Sequence, residues 1–303
     1  MYAIANDGDD LENLESIFLR YYIRKTLDEY IDYSLDNVSS LQTRLNPNRK
    51  TVLYIHGYTE NLQRESVRTV VQAYLNQDNH NTIALSYAKL ANGTYTKVVK
   101  NIVQVGAVVA LFLDNMEKTG FNTEKLHIVG HSMGAHVASY ISRKVNFSVP
   151  RITGLDPAGP FFNFLEPHLS YHDARFVDII HTDYAYYGIA VSTGTVDFFP
   201  NGGHRIQPGC PEKIKVFSAA DFCSHHRSWE FYAESVTNES SFLGVHCSSW
   251  PDFLSGNCNN NTPIFMGYRA SRAPNIMEGN VYLKTAAQSP FGLEKKGAQG
   301  TVM

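Results

Sequence analysis

Gly130-His131-Ser132-Met133-Gly134 sets one serine between two glycines. A serine hydroxyl attacks a carbonyl carbon only when a base takes its proton. It also needs N–H donors for the oxyanion that forms, each worth about 3 kcal/mol. The surroundings give the pattern its meaning. A short apolar run, "LHIV", precedes it, and "GAHVASYISRKV" (134–145) follows with helical spacing. Strand, sharp turn and helix in that order form a nucleophile elbow. Glycines on either side let strand and helix approach without a Cβ in the way. The helix N-terminus adds partial positive charge beside the developing oxyanion. The Met133 N–H, next after the serine, is one candidate donor. The second donor of such elbows comes from the loop after an earlier strand. "YIHGYTEN" (54–61) offers that loop and Tyr58 as its donor.

The base and its acid should follow the serine in the chain order Ser…Asp…His. Two aspartates compete on layout. Asp156 closes the apolar run after the elbow, and Asp183 closes the next one. Seven histidines follow Asp156: His168, His172, His181, His204, His225, His226 and His246. A base in a loop just ahead of a helix fits His225 and His226, which precede "RSWEFYAESV". The adjacent pair makes a poor zinc site. Neighbouring side chains diverge, and no H-E-x-x-H or C-x-x-C spacing supplies further ligands. No metal and no cofactor is expected.

These residues need a scaffold that brings distant loops together. "TVLYIHG" (51–57), "NTIALSY" (81–87), "LHIVGHS" (126–132), "RITGLD" (151–156) and "RFVDIIHT" (175–182) are short apolar runs ending at Gly, Ser, Asp or Thr. Such runs suit strands buried on both faces of a parallel sheet. "ESIFLRYYIR" (15–24) alternates and reads as a half-exposed strand. Residues 62–75 are amphipathic. In 95–118, Val98, Val99, Ile102, Val105, Val109, Phe112, Leu113 and Met116 recur three or four apart and form one apolar face. Alternating strand and helix predict an α/β fold with a mainly parallel sheet. From about residue 184 the chain is turn-rich and reads as loops over the carboxyl edge, where open α/β sheets place their sites.

Composition narrows the partners. The chain has 303 residues and a net charge of -3, which recommends neither nucleic acid nor an anionic membrane. The most apolar stretch, 102–113, is too short for a membrane span. Five N-x-[ST] sequons occur, at Asn37, Asn92, Asn146, Asn238 and Asn260. The four cysteines form two close pairs in sequence, Cys210/Cys223 and Cys247/Cys258. Four cysteines allow three connectivities, and local pairing is the simplest. Sequons and an even cysteine count favour secretion, although the acidic start is no signal peptide.

"IHGY", "VGHSMGAH", "RITGLDPAGP", "FVDIIHTD", "DFFPNGG", "PGC" and "CSHHRS", in that order, resemble the pancreatic-type lipase family. The resemblance covers roughly residues 15 to 285 and is nearest in character to insect members. It implies an α/β-hydrolase fold in a single catalytic domain, and hydrolysis of carboxylic esters at a lipid–water interface. It selects Asp156, in G-L-D-P-A, as the acid, and His225, in C-x-H-x-R-S, as the base. His226 then falls on a variable position. The family also implies a Cys210–Cys223 disulfide bounding a lid over the site.

The lid is short, with Ile214, Val216 and Phe217 among Lys213, Lys215 and Asp221, and could be amphipathic. The stretch 184–196 is short as well. Both features resemble the phospholipase A1 branch. Pancreatic members hold a calcium ion near "FLEPHLSYHDARF". Here Asp173 is kept without a full oxygen-ligand set, so calcium is not expected. A C-terminal β-sandwich like that of the larger members is not expected. The expected function is a secreted phospholipase A1 or broad lipase. The alternatives are a triacylglycerol lipase and a yolk-protein-like lipid-binding protein, and the intact Ser132, Asp156 and His225 weigh against the latter.

Overall fold

The computed structural model describes residues 13–300, apart from Arg24, Asn37, Leu165, Glu166, Lys213, Ile214, Phe217 and 272–278. The last position of the expected first strand, the Asn37 sequon, and Lys213, Ile214 and Phe217 of the expected lid therefore lie outside the described residues. The chain divides into two compact units, Met1–Pro150 and Arg151–Met303.

The first unit carries β1 (Phe18–Tyr22), β2 (Tyr30–Ser34), β3 (Lys50–Ile55), β4 (His80–Ser86) and β5 (Leu126–His131). Their order is β2-β1-β4-β3-β5. β3 runs parallel to both β4 and β5. β1 is antiparallel to β4 and to β2. Every residue of β4 is buried, the apolar Ile83, Ala84 and Leu85 together with polar ones such as Asn81, whose amide donates to Asn46 O at 2.9 Å. Exposure alternates along β2 instead, as on an edge.

Three main helices accompany these strands: α1 (Glu65–Gln77), α2 (Tyr95–Lys118) and α3 (Met133–Ser142). α1 stops where Asp78 turns left-handed, its N–H bonded to Tyr74 O. α2 buries the eight apolar residues that recur along 95–118. At 24 residues α2 is longer than the 12-residue apolar run within it. By length and composition alone it could cross a membrane, with a mean hydropathy of 1.5 over 18 residues. Half of that window is buried inside the protein, so the helix serves as a core element.

The second unit carries β6 (Arg151–Leu155), β7 (Phe176–Ile180), β8 (Val196–Pro200), β9 (Leu243–His246), β10 (Ile264–Phe265) and β11 (Gly279–Leu283). Their order is β6-β7-β8-β11-β9-β10. β6, β7, β8 and β11 are parallel, while β9 is antiparallel to β11 and β10. The turn-rich text after residue 184 thus contains four strands as well as loops. They are two to five residues long, too short for a periodic signal to emerge between glycines and prolines. Asp178 interrupts the apolar text of β7. Arg151 answers it with two N–H···O bonds of 2.8 and 2.9 Å, and Thr153 Oγ–H adds a third of 2.9 Å. One main helix, α4 (Cys223–Thr237), follows. Mainly parallel strands flanked by helices make this the α/β-hydrolase fold.

Candidate active site

Ser132 sits between the end of β5 and the start of α3, with φ 54° and ψ -120°. A non-glycine residue there stores about 1–3 kcal/mol of strain and persists only where its surroundings over-determine it. The packing does so. A Cβ on Gly134 would stand 2.3 Å from Ile55 O, and one on Gly130 would stand 2.4 Å from Gly134 O. Strand β3, strand β5 and the first turn of α3 are therefore in backbone contact around the serine.

The loop after β3 reaches the same place. A Cβ on Gly57 would lie 3.1 Å from Ser132 Cβ. Tyr58 follows directly, and its N–H takes no partner among the described residues. His56, just before, is fully buried and stacked on Tyr87 with ring centroids 4.3 Å apart. The Tyr87 hydroxyl donates to His56 O at 2.6 Å. Burial holds the His56 imidazole below its ordinary pKa, so its part is to anchor the loop. Glu60 returns to this loop too. Gly57 N–H donates to its Oε2 at 2.6 Å and Ser66 Oγ–H to its Oε1 at 2.7 Å. The sequence reading passes over Glu60. Its three-residue spacing from Gly57 was the available signal, because a carboxylate at that distance can reach back to a backbone N–H.

In the second unit, Asp156 follows β6 with φ 44° and is completely buried. Its Oδ1 accepts the N–H groups of Thr182 (2.8 Å) and Asp183 (3.1 Å). Its Oδ2 accepts His225 Nδ1–H at 2.5 Å. His225 lies in the first turn of α4, and Ser228 Oγ–H donates to its carbonyl at 2.8 Å. Such a carboxylate fixes the imidazole's tautomer, with Nδ1 protonated and Nε2 able to accept a proton. His226 is half-buried, its ring near Phe222 (6.0 Å) and Trp229 (5.7 Å). Another histidine also meets an aspartate: His181 Nε2–H donates to Asp197 Oδ1 at 2.7 Å. Both are buried and His181 stacks on Phe199, so that pair is a core contact.

Asp183 is held by Arg205 through parallel bonds of 2.8 and 3.0 Å. Burial, reinforced by the Asp156 charge, pushes the Asp183 carboxyl up to about 6, against the opposing pull of His225 and Arg205. Arg205 also donates to Asp221 Oδ1 at 2.9 Å, and the Tyr187 hydroxyl donates to Asp221 Oδ2 at 2.5 Å. Asp221 is buried and so does not form part of an exposed polar face of a lid. The disulfide Cys210–Cys223 closes the segment that contains it, with Cα atoms 5.7 Å apart. A second disulfide joins Cys247 and Cys258. Asp173 accepts Ser170 N–H at 2.8 Å and completes a capping box. Its carboxylate thus serves the backbone. Among the described residues no group of three or more His, Cys, Asp or Glu could hold a metal ion.

The family model described as Lipase matches residues 5–291. The chain belongs to the lipase family. It is 35% identical over 276 residues to Lipase member H-B of Xenopus laevis, covering 86% of this chain and 60% of that protein. It is 33% identical over 300 residues to pancreatic triacylglycerol lipase of Myocastor coypus, covering 89% of this chain and 65% of that protein. A third relative, pancreatic lipase-related protein 2 of Cavia porcellus, is 34% identical, with 93% and 67% covered. This lipase-family chain thus spans about three-fifths of the length of the relatives named first.

Proposed function

We propose that this lipase-family chain hydrolyses carboxylic esters of lipids through a triad of Ser132, Asp156 and His225. The strained backbone of Ser132, held at φ 54° by contacts among β3, β5 and α3, carries the reading. A fold retains such strain where a side chain must be presented. His225 Nε2 takes the Ser132 proton as Oγ attacks the ester carbonyl. The Tyr58 and Met133 N–H groups receive the oxyanion. His225 then returns the proton to the leaving alcohol, and an acyl-enzyme remains. Water attacks that ester by the same route and releases the fatty acid. Asp156 steadies the imidazolium.

Phospholipids and a broad range of acylglycerols are the proposed substrates, taken up at a lipid–water interface. The short segment between Cys210 and Cys223 and the short stretch 184–196 support an open site that admits a polar headgroup. Triacylglycerol is the second reading, favoured by the similarity to a pancreatic triacylglycerol lipase. Secretion is proposed on the two disulfides.

The test compares a phospholipid with a long-chain triacylglycerol, reading which fatty acid is released, for wild type and Ser132→Ala. Phospholipid turnover with release from the sn-1 position, lost in Ser132→Ala, supports the proposal. Triacylglycerol preference moves the assignment to the second reading. Activity that survives Ser132→Ala removes Ser132 as nucleophile.

A further inference from the structure

We infer that Glu60 is a positioning residue for the oxyanion-binding turn, clamping the backbone that presents the Tyr58 N–H. The inference rests on the triad reading above and concerns a residue which takes no part in proton transfer.

Gly57, Tyr58, Thr59 and Glu60 form a tight turn, closed by Glu60 N–H donating to Gly57 O at 3.3 Å. Thr59 has φ 56°, a left-handed conformation that a β-branched residue avoids. The outer side of the turn is held by Thr59 N–H donating to Ala91 O at 2.9 Å and by the Tyr58 hydroxyl donating to Gly93 O at 2.6 Å. Glu60 closes the turn a second time from its side chain. Oε2 takes Gly57 N–H at 2.6 Å, one peptide before the one that carries the Tyr58 N–H. Oε1 takes Ser66 Oγ–H at 2.7 Å and so fastens the turn to the first turn of α1. His131, the residue before Ser132, brings Nδ1 to 3.3 Å from Oε2. One carboxylate therefore joins the Tyr58 turn, helix α1 and the elbow. The Cβ position of Gly57 lies 3.2 Å from Glu60 Oε2, 3.1 Å from Ser132 Cβ and 3.4 Å from His131 Nδ1, so the junction abuts the nucleophile.

The carboxylate is a poor base. Its side chain is 14% exposed. Burial would raise its pKa, but His131 and the bonds from Ser66 and Gly57 hold it well below the usual carboxylate range. Both its oxygens already accept donors. What it can supply is geometry, and misplacing a donor by about 1 Å can cost about 10²-fold in rate.

The experiment uses a soluble short-chain nitrophenyl ester and a phosphonate that inactivates through Ser132. Wild type, Ser132→Ala, Glu60→Gln, Glu60→Asp and Glu60→Ala are compared, each checked by thermal melt. The Gln amide can accept Gly57 N–H and donate to Ser66 Oγ, so Glu60→Gln should keep kcat within about threefold. Asp keeps the charge but is too short for both bonds. Glu60→Asp and Glu60→Ala should lose about 10- to 100-fold in kcat with KM nearly unchanged, since a displaced donor acts on the transition state. Phosphonate inactivation should slow by the same factor. If Glu60→Ala does not fold, the Gln-over-Asp order still decides. Equal kcat in all Glu60 variants, or Asp retaining activity that Gln loses, overturns the inference while leaving the triad reading intact. Wild-type turnover that does not depend on Ser132 overturns both.

Discussion

Gly188 has no side chain where Asp156 lies: a Cβ there would stand 2.6 Å from Asp156 Oδ1 and 2.9 Å from Oδ2. Asp156 has nowhere to retreat, since its oxygens accept Thr182 N–H, Asp183 N–H and His225 Nδ1–H. Gly188→Ala should therefore turn the carboxylate away from His225 and release the imidazole tautomer. Loss of the acid's function in a serine hydrolase costs about 10⁴ in kcat, and a partial displacement should cost about 10²-fold or more. Ester hydrolysis by a folded variant, confirmed by circular dichroism, checks this. Activity near wild type would mean that the Asp156–His225 contact tolerates displacement.

The two adjacent histidines should separate cleanly. His225→Ala removes the group that meets Asp156, and activity should fall at least about 10³-fold. His226→Ala trims a half-buried ring near Phe222 and Trp229, and should stay within about fivefold. Steady-state rates of the two variants on one ester decide. Comparable losses would mean that the roles are divided wrongly.

Asp183 makes stability depend on pH in a defined direction. Burial raises its folded pKa to about 6 from the ordinary 3.8, with Asp156, His225 and Arg205 facing it. The folded state thus holds the proton more tightly than the unfolded chain. That contribution is fully present below about pH 4 and is lost as pH rises through about 6. Asp183→Asn lacks this titration. Its Tm relative to wild type should move in the variant's favour between pH 4 and pH 7. A constant difference across that window would contradict the assigned direction.

Gly134→Ala should destabilise the first unit before it affects chemistry. The added Cβ would meet two carbonyl oxygens, Ile55 O at 2.3 Å and His56 O at 2.5 Å, and backbone cannot rotate away as a side chain can. Overpacking of this kind costs about 1–3 kcal/mol or more. Urea denaturation should show a lower midpoint with an unchanged slope. An unchanged midpoint would show that β3 and α3 can separate at no cost.

Some of this protein is written in its sequence by itself. Ser132 between glycines, after an apolar run and before a helical pattern, specifies an elbow, because strand, turn and helix signals are all local. The alternation of apolar runs and amphipathic stretches specifies the mainly parallel α/β fold for the same reason, and α2 matches its periodicity over the whole of 95–118. The later strands escape that logic. β9 and β10 have four and two residues and take their place from neighbours distant in the chain. Only the tertiary structure brings His225 Nδ1, 69 positions on, to 2.5 Å from Asp156, and gives Arg205 to Asp183 and Asp221. Glu60 shows the difference most plainly. In the text it is one acidic residue in a loop, while in the fold it ties a turn, a helix and the elbow together. Local patterns record what each segment can become. Which polar groups meet inside is settled by packing, since burial leaves each of them few partners within reach.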